Sequence, residues 1–468
     1  MGRKKNIVLE HISITSTAAK GKALAKHEDG RVIFIKEGVP GDLVDLRVIK
    51  KRKNYFEAEI IKLHKRAPQR ITPVCAHFGI CGGCKWQHMT YDMQLDQKQQ
   101  EVIDNLERIA KVNVEQFFPI KGAEETFFYR NKMEYSFSDS RWLTQEEINT
   151  QETFDRNALG FHVPGKWDKI VQINKCHLQE DIANEIRNFC KKEGERQKLK
   201  FFNPRHQTGH LRTLMIRNSS QGQLMVLVQF YKASKNEIDG YMQAIAEAFP
   251  KVQSLLYTVN SKANDTLYDQ DISCYKGEAF IFEEMEGLEF RIDAKSFYQT
   301  NSKQAYELYK IIRSFADLNG KQIVYDLYTG TGTIALFLAA QAKQVIGVES
   351  VPQAILNAKW NADHNKVTNV SFETGDMKKV FNDSFIDRYG KADVVITDPP
   401  RDGMHSDVVH QLIKLSAPRV VYVSCNSATQ ARDLALLAPH YRVVKSQAVD
   451  MFPQTHHIEN VVLLEKRM

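Results

Sequence analysis

The sequence predicts an α/β protein that begins with a small OB-like β-barrel and ends in a doubly wound, Rossmann-like domain. In the last third of the chain, strand-like apolar runs alternate with helical segments, which is typical of a parallel sheet covered by helices. Residues 6–66 instead contain short alternating runs separated by turn residues, the pattern of a small barrel. The stretch between them mixes both patterns. We therefore expect a barrel at 1–66, an α+β domain at 67–295 and the Rossmann-like domain at 296–468.

The predicted barrel carries the positive charge of the chain. Residues 1–70 contain 17 Lys and Arg against 8 Asp and Glu, a net charge of +9, whereas the whole chain carries +7. The stretch KKRKNYF at 50–56 interleaves cations with aromatic rings, as surfaces that bind a nucleic-acid backbone and stack on bases do. Positive charge confined to one module indicates that this module binds nucleic acid.

The composition is that of a globular protein without a membrane segment. The 468 residues are 43% hydrophobic and 26% charged, and the longest apolar runs, such as 334–340, are far too short to span a bilayer. The basic start has no apolar segment behind it, so no signal peptide is expected. These features predict a cytoplasmic protein with no membrane partner, and no obligate protein partner is apparent.

Three of the seven cysteines are grouped on a glycine-rich loop, as Cys75, Cys81 and Cys84. An odd number of cysteines argues against a disulfide framework, and the grouping suggests a metal or a cluster. A closed site needs a fourth ligand. The spacing allows zinc with His77 or His88, and it equally allows an iron–sulfur cluster.

The remaining secondary structure follows from apolar periodicity. Helices are predicted at about 91–110, 179–192 and 235–248, and strands of the central domain at 131–138, 157–163, 211–218, 223–231 and 254–260. Strands of the last domain are predicted at 322–328, 344–350, 370–376, 392–400, 419–425, 441–450 and 459–467. Cys190 lies on a predicted amphipathic helix and Cys274 in a further strand-like run, so we expect both to be packing residues.

A glycine-rich loop follows the first strand of the last domain, in VYDLYTGTGTIALFLA. Gly330 and Gly332 lie where a strand meets a helix, which lets the backbone approach a ligand closely. Glu349 ends the next strand, where a carboxylate can accept hydrogen bonds from ribose hydroxyls. The loop also fits a dinucleotide pattern, so an NAD oxidoreductase is an alternative. Asp326 precedes the glycines and can face an ammonium group, which favours S-adenosylmethionine.

Two reactive side chains end neighbouring strands of the same predicted sheet. Asp398 ends one strand in DPPRDG, and Cys425 ends the next in VSCNS. Because carboxyl ends of parallel strands share one edge, both should open onto the ligand crevice. A thiolate there suits methylation of uracil C5, a weak nucleophile that becomes reactive once sulfur has added to C6. Some local lowering of the Cys425 pKa is expected, since a free thiol titrates at about 8.5.

That chemistry also needs a base to remove the C5 proton. The segment 450–467 offers His456, His457 and Glu459 before and at the start of the last strand. Histidine is the usual group for proton transfer near neutral pH. Spacing alone does not choose between the imidazoles and the carboxylate.

At this point the sequence resembles the bacterial 23S rRNA (uracil-5-)-methyltransferases, within the RNA 5-methyluridine methyltransferases. The resemblance covers nearly the whole chain. The matching stretches are FYRNKMEYSFS (128–138), SFYQTN (296–301), YDLYTGTGTIAL (325–336), GVES (347–350), DPPRDG (398–403), VSCNSATQARDL (423–434) and FPQTHHIENVVLLEKR (452–467). It implies an N-terminal TRAM domain that binds RNA, and it implies that the helix near 91–115 packs with the catalytic domain.

The resemblance also implies roles for individual residues. Cys425 is implied as the nucleophile and Glu459 as the base, and the contacts to S-adenosylmethionine are implied to be Gln299, Tyr328, Glu349 and Asp398, with Asp376 near the adenine. A [4Fe–4S] cluster is implied on the three grouped cysteines and Cys176.

The resemblance also bears on the RNA target. Relatives that act on tRNA are expected to lack both the barrel and the cluster, so 23S rRNA is favoured, at a single-stranded or loop uridine. Methylation of tRNA is the alternative within the class, and a non-catalytic RNA-binding factor is the alternative outside it.

Overall fold

The computed structural model describes residues 7–150, 152–380 and 382–467. Its strands form sheets of six, seven, two and eight strands. The helices are α1 Tyr91–Asn105, α2 Gln145–Asn149, α3 Asp181–Arg196, α4 Lys235–Ala248, α5 Ser302–Ala316, α6 Thr333–Ala339, α7 Pro352–His364, α8 Met377–Val380, α9 Asp383–Tyr389, α10 Ser406–Leu415 and α11 Ser427–Leu437. Within the described ranges, no helix is both long enough and apolar enough to cross a membrane.

The first sheet comes from the basic N-terminal segment. Its strands are β1 Val8–Ser13, β2 Ser16–Ala18, β3 Lys22–Lys26, β4 Val32–Lys36, β5 Leu43–Lys51 and β6 Tyr55–Lys65. They pair in the order β1-β5-β6-β4-β3-β2, and β1 also contacts β3 across the layer. Alternate residues such as Ile33, Ile35, Val44 and Leu46 are fully buried, as the period of two predicts for a sheet with one wet face.

The seven-stranded sheet and its two helices form the central part of the molecule. Its strands are β8 Lys132–Ser138, β9 Ala158–His162, β10 Ile170–Gln172, β11 Leu211–Asn218, β12 Leu224–Phe230, β13 Ser254–Val259 and β14 Ser273–Gly277, in the order β10-β9-β8-β11-β12-β13-β14. Helices α3 and α4 bury Cys190 and Tyr241 against it. Cys190 is therefore a packing residue as expected, but Cys274 is exposed on the edge strand β14, so that expectation is wrong.

The eight-stranded sheet is doubly wound and contains the predicted crevice. Its strands are β7 Val114–Lys121, β17 Ile323–Leu327, β18 Gln344–Glu349, β19 Val370–Thr374, β20 Val394–Thr397, β21 Arg419–Ser424, β22 Tyr441–Val449 and β23 Glu459–Lys466. The order is β19-β18-β17-β20-β21-β23-β22-β7, with β17 to β21 parallel. The strand order reverses between β17 and β20, and ligands bind open sheets at such switch points.

A two-stranded hairpin and an early segment complete the packing. The hairpin joins β15 Phe280–Met285 to β16 Leu288–Asp293. Strand β7 pairs with β22, although it lies more than 300 residues earlier, and α1 contacts α11. A fully buried ion pair also joins α1 to the residue after β22, since Lys98 Nζ lies 2.6 Å from Asp450. The division at residues 66 and 295 stays a prediction, since this early segment packs with the last sheet.

Candidate active site

The glycine-rich loop turns from β17 into α6 through three residues with positive φ. Tyr328, Gly330 and Gly332 have φ of 65°, 57° and 79°. A Cβ atom on Gly332 would lie 2.9 Å from the Phe372 ring and 3.0 Å from Ala358 Cβ, so only glycine fits this turn. The Gly330 N–H donates to Glu349 Oε2 at 3.2 Å. The loop therefore brings its backbone to the carboxyl end of β17, beside Glu349.

Asp326 is a buried acid at the base of this loop. Its side chain is 1% exposed, and one oxygen accepts a hydrogen bond from the Thr329 hydroxyl. Among the described residues, no group meets hydrogen-bond geometry with the other oxygen, Oδ1. Burial raises the pKa of Asp326 to about 7, with a further rise from the charges of Asp398 and Glu349. A buried carboxyl with a free oxygen is suited to a cationic ligand, since ionisation then gains a partner.

Glu349 and Asp376 both lie near Tyr328. Glu349 Oε1 accepts from the N–H groups of Ser350 and Val351 at 2.7 and 3.0 Å, which fixes the carboxylate at the end of β18. Burial raises the pKa of Tyr328 to about 12, and nearby carboxylates, including Asp376 and Glu349, contribute to the rise. Asp376 is exposed and its Oδ1 accepts from the N–H of Lys378 at 3.0 Å.

Gln299 approaches the site from the loop before α5. It is 9% exposed, and its backbone carbonyl accepts from Asn131 Nδ2 at 3.0 Å. The Asn131 N–H donates to the Thr300 carbonyl at 2.8 Å. The central sheet therefore positions the Gln299 loop through Asn131, at the start of β8. Sequence reasoning missed Asn131, because no local pattern marks a contact across 168 residues.

Cys425, Asp398 and Glu459 form one acidic site with Arg401 beside them. Cys425 directly follows β21, Asp398 follows β20, and Glu459 opens β23, which pairs with β21. Glu459 is 5% exposed. Burial raises its pKa well above the usual value, the charge of Asp398 adds to this, and Arg401 opposes it. The structure thus brings together the three side chains that the sequence placed at strand ends.

The Cys425 thiol is not activated in this structure. Burial raises its pKa to about 12, and the carboxylates of Glu459 and Asp398 add to the rise, while Arg401 opposes it. The expectation of a locally lowered pKa is therefore wrong for the site without ligands. Helix α11 begins two residues later, at Ser427, but burial and the two acids outweigh whatever its N-terminus contributes.

The two histidines of the same segment are poor bases. Burial lowers the pKa of His456 to about 3 and that of His457 to about 4. A general base works best with a pKa near the working pH, which favours the carboxylate of Glu459 over both imidazoles. Lys85 donates its N–H to the carbonyl of Gln454 at 2.9 Å, so the cysteine-rich segment lies next to the loop that carries these histidines.

Helix α11 holds the DPPRDG loop in place. The Arg401 carbonyl accepts from Asn426 Nδ2 and from the Thr429 hydroxyl, each at 3.1 Å. The Met404 N–H donates to Asp433 Oδ2 at 2.8 Å. The segment that begins at Cys425 therefore carries the candidate thiol and also fixes the loop that carries Asp398.

The four predicted cluster cysteines come together from two segments. Burial raises the pKa of the Cys84 thiol to about 12, and the charges of Cys176, Cys81 and Cys75 add to it, which places the four groups close together. The Gly83 N–H donates to Cys81 Sγ at 3.4 Å, and Asn184 fixes the N–H of Cys176 at 2.8 Å.

One ring nitrogen of each candidate zinc histidine faces another group, whereas His88 Nδ1 is buried and has no hydrogen-bond partner among the described residues. His77 Nε2 accepts from the N–H of Asn174 at 3.1 Å, and His88 Nε2 lies 3.3 Å from the carbonyl of Gly38. Ligands of one tetrahedral zinc at about 2.3 Å would lie about 3.8 Å apart. Among the described residues, no three of the four sulfur atoms lie within 4.8 Å of one another. The four thiols are therefore not arranged as the ligands of a single tetrahedral zinc ion in this structure.

Comparisons with known proteins agree with this geometry. Residues 282–467 match the family model described as tRNA (Uracil-5-)-methyltransferase, and residues 10–61 match the TRAM domain, which confirms the predicted N-terminal module. Among similar curated proteins are an uncharacterized RNA methyltransferase of Bacteroides thetaiotaomicron, 53% identical over 96% of this chain and 100% of that protein, and one of Porphyromonas gingivalis, 50% identical over 97% and 99%.

A solved structure is similar over almost the same length. The Pyrococcus abyssi tRNA (uracil-54, C5)-methyltransferase, in complex with S-adenosyl-L-homocysteine, is 27% identical and has a TM-score of 0.75. The match covers 97% of this chain and 100% of that one.

Proposed function

Because the chain belongs to the RNA (uracil-5-)-methyltransferase family, we propose that it methylates C5 of a uridine in 23S rRNA, with S-adenosylmethionine as the donor. The observation that carries the proposal is the meeting of Cys425, Glu459 and Asp398 at the edge of the sheet where the parallel strands end, with Asp398 near Asp326 at the base of the glycine-rich loop. A thiol, a basic carboxylate and a donor site are the three parts that methylation of a pyrimidine carbon needs.

The proposed reaction splits one difficult step into easier ones. The sulfur of Cys425 forms a bond to C6, and the electron pair of the C5–C6 double bond moves to C5 and O4. C5 then takes the methyl group, and the sulfonium sulfur of the donor leaves as a thioether. Glu459 removes the C5 proton, the double bond re-forms, and the bond between sulfur and C6 breaks. Cys425 gives up its thiol proton before the bond to C6 forms and regains a proton after that bond breaks, and Glu459 releases to solvent the proton it took from C5, so the completed cycle returns the enzyme to its starting state.

The shifted pKa values are consistent with the role of each group in these reaction steps. A raised pKa makes the Glu459 carboxylate a stronger base toward the C5 proton. The thiol of Cys425 stays protonated at neutral pH while two acids face it. The donor carries a positive sulfonium, so its arrival offsets those charges and favours ionisation of the thiol. Reactivity of Cys425 is then coupled to the presence of the donor.

We propose that the donor lies at the carboxyl ends of β17 and β18, next to the point where the strand order reverses. Asp326 faces the ammonium group with its free Oδ1, and Glu349 accepts from the ribose hydroxyls at the end of β18. The remaining proposed contacts are Gln299, Tyr328, Asp376 and Asp398. Asp326, which the sequence pattern already suggested as the partner of the ammonium group, joins the set implied by the resemblance.

The second candidate target is tRNA, and one observation favours it. The Pyrococcus abyssi enzyme, named for tRNA, matches 97% of this chain. The presence of an N-terminal module therefore does not distinguish an rRNA enzyme from a tRNA enzyme, although we expected from the sequence that it would. The proposal of 23S rRNA keeps its support from the specific resemblance alone.

Mapping of 5-methyluridine in a deletion strain tests the target. Loss of the modified uridine from 23S rRNA, with tRNA unchanged, is the expected result, and a plasmid copy should restore it. A plasmid carrying Cys425→Ala should not. Loss from tRNA alone would replace the proposed target with tRNA. A deletion strain that keeps all its 5-methyluridine would contradict both.

We also propose that Cys75, Cys81, Cys84 and Cys176 hold a [4Fe–4S] cluster. Four thiols that come together from two segments and are not arranged as the ligands of a single zinc fit a multi-iron cluster. When bound, the cluster would tie the loop at 75–84 to the segment before α3. Protein purified without oxygen should contain iron and sulfide and absorb near ~400 nm; protein that contains zinc instead would contradict the proposal.

A further inference from the structure

A cavity lies on the central sheet, away from the crevice described above. Its volume is about 190 Å³, room for about six water molecules at their liquid volume. It lies between the β9–β10 hairpin, the turn at 204–208 and the loop after β13. Its lining combines aromatic rings with polar groups, including Trp167, Phe202, Ser136, Arg212, Gln207 and Asn264.

Trp167 forms an exposed aromatic wall that its neighbours hold in place. It lies in the turn between β9 and β10 and is 62% exposed, although large indoles are usually mostly buried. Asp168, next to it, is 4% exposed and accepts from Arg205 Nε at 2.6 Å. The Arg205 guanidinium lies 5.4 Å from the centre of the indole ring. A rigid indole offers a large stacking surface at low cost in entropy.

The floor of the cavity holds a buried donor without an acceptor. Arg212 is 3% exposed, and its two terminal nitrogens donate to the carbonyls of Asn260, Lys262 and Ala263 at 2.7 to 3.1 Å. No protein group within the described ranges accepts from Arg212 Nε. A buried unpaired donor is costly. A carbonyl oxygen of a planar ligand in the cavity would satisfy it.

These features select a nucleobase. A planar ring can stack on Trp167 while its carbonyl edge meets Arg212 and the amide groups of Gln207 and Asn264. Asp168 and Asp265 line the cavity, and Asp168 is paired with Arg205 and Lys169. Exposed Lys166, next to Trp167 in the chain, adds a cation that suits a phosphate beside the base. Single-stranded RNA is recognised in this way, by unstacked bases on aromatic and guanidinium planes. We propose that the cavity binds one unstacked base of the RNA substrate, remote from the target uridine.

The position of the cavity fits the course of an RNA strand. Strand β8 runs from Lys132, next to Asn131 at the Gln299 loop, to Ser138 at the cavity. Six steps of about 3.3 Å place the two ends about 20 Å apart. That separation corresponds to a few nucleotides, so a strand with its target uridine in the crevice can reach the cavity with a nearby base.

The cysteine-bearing loop supports the same hairpin. A Cβ atom on Gly82 would lie 3.2 Å from the carbonyl oxygen of His162 and 3.6 Å from Pro164, so this loop packs tightly on the strand that leads to Trp167. The hydrogen bond between His77 and Asn174 joins the loop to the segment after β10. Ordering of the four cysteines would therefore order the aromatic wall of the cavity.

This inference rests on the proposed function, and the test separates the two. Binding of a fluorescein-labelled dodecauridylate is measured by anisotropy for the wild type, Trp167→Ala, Trp167→Phe and the control Tyr268→Ala. Tyr268 is an aromatic residue 77% exposed that does not line the cavity. Binding of S-adenosylhomocysteine is measured alongside, and it should be the same in all four proteins, since both rings are on the surface.

Trp167→Ala should weaken RNA binding by about 5- to 150-fold, the range for loss of one stacked base. Trp167→Phe should retain affinity within about threefold, because phenyl rings also stack, and Tyr268→Ala should bind like the wild type. Binding of inorganic polyphosphate should not differ between the wild type and Trp167→Ala. If Trp167→Ala binds RNA normally, or loses polyphosphate equally, the cavity does not bind a base. If the wild type binds neither the oligonucleotide nor total rRNA nor total tRNA, the proposed function fails as well.

Discussion

Replacement of Asp326 by Asn tests the electrostatic description of the donor site. The pKa of this buried carboxyl rises from 3.8 to about 7, chiefly because burial disfavours its charge. The folded state therefore holds the proton more tightly than the unfolded state. Consequently the free energy of unfolding falls as the pH rises from about 4 to about 7, and it is flat above that. At about 1.4 kcal/mol for each pKa unit, the full difference is about 4 kcal/mol.

The amide of Asp326→Asn carries no charge at any of these pH values, and its oxygen can still accept from Thr329. Without ligand, the variant should match the wild type near pH 4 and exceed it by up to about 4 kcal/mol above pH 7. Thermal unfolding of both proteins across this range measures the difference, at about 2–4 °C of Tm for each kcal/mol. The variant should also bind S-adenosylmethionine more weakly, because the ammonium group loses its carboxylate.

The matched control is Asp402→Asn, which changes an exposed carboxylate of the DPPRDG loop. Its effect on Tm should be small and should not depend on pH, since an exposed charge is already hydrated. A stability gain in Asp326→Asn that is the same at every pH would refute the argument. So would a variant that is less stable than the wild type above pH 7.

Three further predictions follow from the same structure. Cys176→Ser should remove most of the iron and the absorbance near ~400 nm, whereas Cys274→Ser, on an exposed strand edge, should keep both. Replacement of the exposed Lys51, Arg52 and Lys53 by Gln should make the slope of the logarithm of the RNA-binding constant against the logarithm of salt concentration less steep by up to ~2 for single-stranded RNA. An unchanged slope would show that these residues do not contact the RNA backbone. Affinity for S-adenosylmethionine should rise as the pH increases through about 7, because ionised Asp326 and Asp398 attract a cation; an affinity that falls over this range would contradict that.

The sequence predicts those parts of the fold that depend on local patterns. Helix α5 buries Ala305, Leu308, Ile312 and Phe315 at helical spacing, and the buried run of β21 is typical of a central strand. Since carboxyl ends of parallel strands share an edge, the meeting of Asp398 and Cys425 also followed from the pattern. The hairpin β15–β16 was missed, because its short strands carry several charged residues.

Long-range partners and ionisation could not be predicted from the sequence. Strand β7 joins the last sheet through hydrogen bonds to β22, and Lys98 pairs with Asp450 across 352 residues. No local signal marks such pairs. The pKa of Cys425 depends on its burial and on two acids that come from other strands, so the motif alone suggested the wrong direction. Cys176 was placed with the other cysteines only through a resemblance, since about ninety residues separate it from Cys84.

Covalent catalysis by Cys425 is the central claim, and capture of the adduct tests it most directly. Glu459→Gln keeps the size of the side chain but removes the base, so the C5 proton stays and the sulfur cannot leave. We therefore expect this variant, incubated with S-adenosylmethionine and rRNA from the deletion strain, to form a denaturation-resistant protein–RNA complex. Mass spectrometry should place the link at Cys425 and a methylated uridine, and the double variant with Cys425→Ala should form none. Absence of the complex, together with methylation by Cys425→Ala alone, would contradict the account.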